Sequence, residues 1–211
     1  MTEKEIGYIG DGGQSREARS YTGDNIRTGF HALDTKYVDV NNGMLLDINE
    51  VSEDQENTPV IAAIGAPGLK KEMIEKWPGK NFETIISEEA YIDKSVEIGK
   101  GSIVAPRAVI TTDVIIGEHV LVNIASSISH DSVIGNYVTI GPGAHIAGGV
   151  RLEDGVYVGI GAIISNNVSV AEGAVIGAGA VVVKDIKEKY AVVVGTPAKT
   201  IRINSGWLRE I

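Results

Sequence analysis

The sequence predicts two structural units in series: a small α/β, Rossmann-like unit and then an all-β parallel β-helix of hexapeptide repeats. Three observations carry this. Aliphatic residues return at every sixth position from Ile92 to Val182. Glycines recur eighteen residues apart, as Gly99, Gly117 and Gly135 and again as Gly141, Gly159, Gly177 and Gly195. Ahead of the repeat, an apolar run enters a glycine turn, YIGDGG at 8–13, as a βαβ unit would open.

The repeat comes first because it decides the fold. Its series runs Ile92, Ile98, Val104, Ile110 and onward to Ile176 and Val182. Four residues after each of these sits a second series, Val96, Ser102, Ala108, Val114 and onward to Ala180, almost all Val, Ala or Ser. A large and a small residue alternating with period six suit short flat strands joined by tight corners. An α-helix, at 3.6 residues per turn, would not keep such a series on one face. The eighteen-residue superperiod means three hexads per turn, a triangular prism whose strands stack about 4.8 Å apart. The span 92–187 makes a little over five coils, and only the stack of coils encloses a core. The superperiod glycines are expected to supply corner conformations.

The front unit is expected at 1–87 and the prism with its tail at 88–211, with 77–90 leading from one to the other. Ile6–Ile9 reads as a strand, SREARSYTGDNI as a helix, and TGFHALD as a second strand ending at Asp34. TPVIAAIGAPG is a third strand with a glycine exit at Gly65 and Gly68, and LKKEMIEKW is a helix. Gly10, Gly12 and Gly13 stand where a βαβ unit lets backbone approach a ligand at a helix N-terminus. Asp34 follows Gly13 at the offset where such units place an acid on ribose. Three strands make half a dinucleotide site, so a mononucleotide or nucleotide-sugar fits better than NAD. The alternative is that these glycines only tighten a turn and Asp34 caps a loop.

Composition excludes several classes. Asp and Glu number 28 against 19 Lys and Arg, a net charge of −9, which disfavours nucleic acid or an anionic membrane as partner. The absence of cysteine removes disulfides and thiolate chemistry. With no signal-like or membrane-length apolar run, a soluble cytoplasmic protein is expected. Of four histidines, His31 falls in the second strand and His119 and His145 at other points of the hexad. His130 is third in its hexad, so it should point outward at a corner, where the neighbouring Asp131 could hold its tautomer and stabilise imidazolium. His145 should pack or line a cleft.

The segments YIGDGGQSRE, VIAAIGAPGLKKEMIEKW, NIASSISHDSVIG and VVVGTPAKTIR together resemble the sialic acid O-acetyltransferase and bacillosamine N-acetyltransferase family of sugar acyltransferases. The resemblance implies a left-handed helix and a homotrimer with active sites in clefts between neighbouring prisms. It also implies a nucleotide-sugar on the front unit and acetyl-CoA along the coils. His130 matches the catalytic base of the motif, Asp131 the carboxylate beside it, and Asn123 the asparagine seven residues earlier. Backbone at Ile160 and Ala178, with Gly148 nearby, is expected to contact the pantetheine arm. Gly195, Lys199 and Arg202, in GTPAKTIR, fall where the nucleotide end of coenzyme A lies in such enzymes. The chain departs from the motif at Gln14, Ser15 and Thr35, all on the acceptor side. These departures leave acyl transfer intact and bear on the identity of the acceptor. The motif and the front unit together imply N-acetylation of a nucleotide-linked amino sugar, with O-acetylation of a free sugar such as sialic acid, or a silent trimeric scaffold, as alternatives. Carbonic anhydrases of the γ type share the prism but place two zinc-binding histidines five residues apart; no such pair occurs here, and no metal is expected.

Overall fold

The computed structural model describes residues 4–22, 26–34 and 45–211. The front unit comprises β1 (Lys4–Ile9), α1 (Gly13–Ser20), β2 (Ile26–Leu33), β3 (Leu45–Asp47), α2 (Glu53–Asn57), β4 (Val60–Ala62) and α3 (Pro67–Lys76). Its four strands form one parallel sheet in the order β3-β2-β1-β4.

Three details depart from the sequence expectation. The sheet has a fourth strand, because the two-leucine run at 45–46 pairs with His31 and Ala32 of β2. That run is too short to register as a strand by pattern. The helix α2 is held by a capping box, in which the Ser52 hydroxyl accepts from the Gln55 amide and the Gln55 side chain accepts from the Ser52 amide. And α1 stops at Ser20 instead of running on to Ile26, which belongs to β2. The Ser20 and Thr22 hydroxyls donate to the carbonyls of Glu17 and Arg19, competing with further helical turns. Residues 23–25, within the expected helix, and Thr35 lie outside the described residues.

From Ile85 onward the chain winds as a left-handed parallel β-helix of two-residue strands. Its first face stacks Ile85–Ile86, Ile103–Val104, Leu121–Val122, Thr139–Ile140, Tyr157–Val158 and Val175–Ile176. The second face runs from Tyr91–Ile92 through Ser127–Ile128 and His145–Ile146 to Val181–Val182. The third runs from Glu97–Ile98 through Val133–Ile134 to Ser169–Val170. Pairing is parallel with a register of eighteen throughout, as in Leu121 with Thr139 and Ile128 with Ile146. Both inward series fill one core, continuous from Val104 to Val193. Serines in the small series are buried but satisfied: Ser102 donates to the Gly117 carbonyl and accepts from the Val120 amide, each at 3.1 Å.

The glycines do different work from that expected. Every sixth residue from Gly101 to Gly179 has a positive φ, and these corner residues include Asp113, His119, Asp131 and Asn167 as well as glycines. The left-handed region costs an ordinary residue about 1–2 kcal/mol, less for Asp and Asn. The superperiod glycines from Gly99 to Gly177 are not in this set. They allow close stacking instead: a Cβ on Gly99 would lie 2.5 Å from the Gly117 backbone, and one on Gly159 would lie 2.6 Å from the Ala178 amide. Among them only Gly195, past the last coil, has a positive φ, of 95°.

The front unit docks on the first face. Ile85, Ile103 and Leu121 point outward from the coils and are buried against Ile6, Tyr8, Ala18, Ile61 and Ala63. Beyond the last coil, Ala191–Val194 extends the first face and Lys199–Ile203 pairs with it antiparallel. The tail then returns to α3, where the Leu208 carbonyl accepts from the Gly68 amide at 2.7 Å. The Trp207 ring lies against Gly155 and Gly173, its Nε1–H donates to Glu172, and Lys71 stands 4.5 Å above it.

Lys70 of α3 is fully buried in this docking surface, and its amine donates to Thr139 Oγ1 at 3.2 Å. Neutral hydrogen bonds return about 1 kcal/mol each, while removing an ammonium from water costs several, so burial shifts the balance toward the uncharged amine. Burial lowers the Lys70 pKa from 10.5 to about 7. The unfolded chain therefore binds a proton more readily, and the destabilisation is complete below about pH 7 and fades as pH approaches 10.5. Lys70→Met should raise the melting temperature at pH 7 and lose most of that gain by about pH 10. Thermal denaturation of both proteins across this range is the check, and a gain independent of pH would contradict it.

Candidate functional site

His130 sits on the corner where the chain passes from the second face to the third. Its side chain is 59% exposed, and Asp131 beside it takes the left-handed corner conformation, φ 59°. That turn brings Asp131 Oδ2 to 2.7 Å from His130 Nδ1. With Nδ1–H donated to the carboxylate, Nε2 is left as a lone-pair acceptor. The imidazole lies over Gly148, one coil further on: a Cβ there would approach His130 Cε1 to 2.5 Å. Gly148 thus belongs to the histidine's own corner, not to the tract of Ile160 and Ala178. The reason is arithmetic, since 148 is one full coil from 130 and 160 is one and two-thirds.

Ile160 and Ala178 stack on the opposite edge of the second face, at the corner entered from the first. Among the described residues, neither amide donates to a protein acceptor. Gly161 and Gly179 beside them face open space. One coil before Ile160 the same column holds Pro142, which has no amide hydrogen, and two coils before it Ile124, whose amide donates to Asn123 Oδ1 at 2.7 Å. Two unused donors therefore line the upper part of this corner.

Asn123 lies on that same corner, nearly buried, and its Nδ2 donates to Gln14 Oε1 at 3.4 Å. This brings the glycine turn against the coils. Gly12 caps α1 and Gly13 begins it, both open on the side a Cβ would occupy, while Gly10 has φ 112° and packs against the Ala63 carbonyl and Ile64. Gly65 leaves β4 on the same side, and its carbonyl accepts from Thr139. His31 is buried under the turn, with Nδ1 3.0 Å from the Gly10 carbonyl and Nε2 3.2 Å from Arg19. Donation of Nδ1–H to Gly10 leaves Nε2 to accept from Arg19, so His31 braces the turn from below. Asp34, the residue after β2, is nearly buried and in an ion pair with Lys76 of α3.

The remaining histidines stand apart. His119 is buried at the corner from third face to first, stacked on Tyr137, and its pKa is lowered to about 4 by burial and then by Lys70 and Lys100. His145 lies on the second face, accepting or donating at 2.8 Å with Ser127. Among the described residues no three His, Asp or Glu side chains converge as a metal site would require.

Lys199 and Arg202 separate. Lys199 lines a groove of about 520 Å³ together with Lys184, Lys187 and Pro197. Arg202 turns to a different groove, beside Trp207 and Lys71 of α3. Lys184 and Lys187, in VKDIKEK, were not singled out by sequence pattern; their spacing of three matches no ligand motif and reads as ordinary surface charge.

The Hexapep family, bacterial transferase hexapeptide (six repeats), matches residues 113–148. The acetyltransferase domain of PglB from Neisseria gonorrhoeae, solved also with acetyl coenzyme A, is 27% identical. It superposes with a TM-score of 0.79, over 94% of this chain and 100% of that one. PerB from Caulobacter crescentus, solved with CoA and GDP-perosamine, is 25% identical, with a TM-score of 0.83 over 93% and 96%. The chain is similar in fold and over nearly its whole length to these hexapeptide-repeat proteins. WeeI from Acinetobacter baumannii is similar to the same extent, 27% identical with a TM-score of 0.78 over 94% and 100%. No curated protein sequence matches significantly. No helix among the described residues is long and apolar enough to cross a membrane.

The protonated nitrogen of neutral His130 should be Nδ1. Long-range ¹H–¹⁵N spectra recorded at about pH 8 should show that tautomer dominant in the wild type and lost in Asp131→Asn. A wild-type spectrum dominated by the Nε2–H form would refute the pairing.

Proposed function

We propose that this protein is an acetyl-CoA-dependent N-acetyltransferase acting on a nucleotide-linked amino sugar, with His130 as general base. The observation that carries it is the exposed His130–Asp131 pair lying on Gly148 in a chain that aligns with PerB over nearly its whole length. PerB is a relative whose solved complex holds CoA and GDP-perosamine. Residues 1–87 act as the acceptor-binding unit and 88–211 as the transferase unit.

Acetyl-CoA supplies a thioester carbon open to attack by an amine. The free amides of Ile160 and Ala178 suit the carbonyls of a pantetheine arm, and the groove where Lys184, Lys187 and Lys199 outnumber Asp185 and Glu188 offers cations for the phosphates of coenzyme A. Gly195 turns the chain beside that groove. Arg202 stays a candidate only through its place in the motif, since it faces the other groove. On the acceptor side, Gly10, Gly12, Gly13 and Gly65 let backbone approach the nucleotide, Asn123 closes the cradle, and Asp34 lies at its β2 end. As the amine attacks, His130 Nε2 takes its proton and later passes it to the departing thiolate. Asp131 holds Nδ1–H and stabilises the imidazolium meanwhile.

One copy of the chain does not bring these parts together. Asn123 and His130 stand on opposite edges of the second face, on the order of 20 Å apart for seven residues at about 3.3 Å each. The second face exposes Tyr91 (59%), Val109 (39%) and Ile163 (43%) between them. Such apolar exposure suits a face covered by another copy, so that His130 of one meets the cradle of the next. A homotrimer in the cytoplasm is the assembly proposed.

Thiol release from acetyl-CoA, followed with UDP-, dTDP- and GDP-linked amino sugars and with free sialic acid, tests the reading. One nucleotide amino sugar should turn over, and His130→Ala should lower kcat about 10²- to 10⁴-fold with the trimer intact by sedimentation. Turnover of sialic acid alone would replace the N-acetyltransferase by an O-acetyltransferase. Full activity in the alanine variant would remove His130 from the chemistry.

A further inference from the structure

We propose that Lys70 and Thr139 form a clasp that sets the acceptor cradle on the coils, with Thr139 as a positioning residue for the acceptor. This rests on reading the turns at Gly10 and Gly65 as that cradle.

Thr139 is the polar member of an otherwise apolar row. The outward residues of the first face run Ile85, Ile103 and Leu121 before it and Tyr157 and Val175 after it. It is 3% exposed, so an unused hydroxyl there would carry the cost of an unsatisfied buried group, and a valine would fill the same space without that cost. The hydroxyl is fully used. It donates to the Gly65 carbonyl at 2.7 Å and accepts from Lys70 Nζ at 3.2 Å. Lys70 also lies 3.5 Å from the Val138 carbonyl, and no carboxylate among the described residues pairs with it.

The polarity of this chain of bonds matters. The Gly65 carbonyl can only accept, so Thr139 commits its one proton there and a lone pair of its hydroxyl takes an N–H of Lys70, charged or neutral. The bond therefore has one direction and one target. Gly65 lies just past β4, and the segment before it, Ala63–Ile64, packs directly against Gly10. Holding the Gly65 carbonyl thus holds both turns of the cradle at once. The apolar contacts around Ile85, Ile103 and Leu121 attach the front unit to the coils, but such contacts have no direction. The clasp supplies the directional element.

The test uses the full chain with Thr139→Val and Thr139→Ser. With the nucleotide amino sugar that turns over, the valine variant should raise the acceptor KM about tenfold. Its kcat and its KM for acetyl-CoA should stay within about twofold of wild type, and the serine variant should restore the acceptor KM. Hydrogen exchange should quicken about tenfold in peptides covering 60–69 of the valine variant and not in the coils. An unchanged acceptor KM in the valine variant, or a serine variant as impaired as valine, overturns the clasp. If the wild type turns over no acceptor at all, the proposed function falls and exchange alone decides the clasp. Unchanged protection at 60–69 would then overturn it, and faster exchange reversed by serine would uphold it.

Discussion

Everything in this molecule depends on coils that stack at one strand spacing. Parallel strands lie about 4.8 Å apart, so each residue sees its equivalent eighteen positions on at a distance that backbone ladders dictate. Inward positions then meet like with like, and Ile128 pairs with Ile146 and Ile146 with Ile164 down the second face. Outward positions obey the same spacing. That is why Gly148 is a glycine under the His130 ring and why the Ile160 and Ala178 amides fall in one column. A site on this scaffold is a choice of column and height, and chemistry is placed by substitution against the repeat.

The corners convert that regularity into chemistry. Each corner carries one residue in the left-handed region, where a side chain costs about 1–2 kcal/mol unless it can interact locally. Asp131 takes this conformation, and the same turn that strains it aims its carboxylate at the preceding histidine. Glycine there would relieve the backbone and remove the partner. On the opposite edge of the second face the corner residues are glycines, Gly161 and Gly179, which leave the neighbouring amides uncovered. Strain and openness occupy equivalent positions in the repeat, one beside His130 and the other beside unused donors.

The prism could be read from sequence because its signal is repeated: the inward series at every sixth residue is the buried core from Val104 to Val182. The front sheet was legible in its three longer strands and not in Leu45–Asp47, whose three residues carry no period. The superperiod of glycines predicts three sides but not the role of the glycines, since close stacking and positive φ both select glycine and spacing does not tell them apart. In the candidate site, the adjacency of His130 and Asp131 was visible in sequence, whereas contacts between the two units were not. Lys70 sits in KKEM of a helix, a pattern of solvated charge, and only its fully buried position reveals otherwise. Thr139 likewise looks like any outward hexad residue until Gly65 is seen facing it.

The strand Lys199–Ile203 turns back along Ala191–Val194, the one antiparallel pair in the sheets of the described residues. All five of its residues are exposed. A stack of identical coils has no intrinsic length, since each new coil offers the next the same unpaired edge. Reversing the chain and placing Lys199 and Arg202 on the outermost strand makes the last edge a poor template for another coil, its own or a neighbour's. The reversal therefore acts as a counter: it limits a potentially endless fibre to a fixed number of coils.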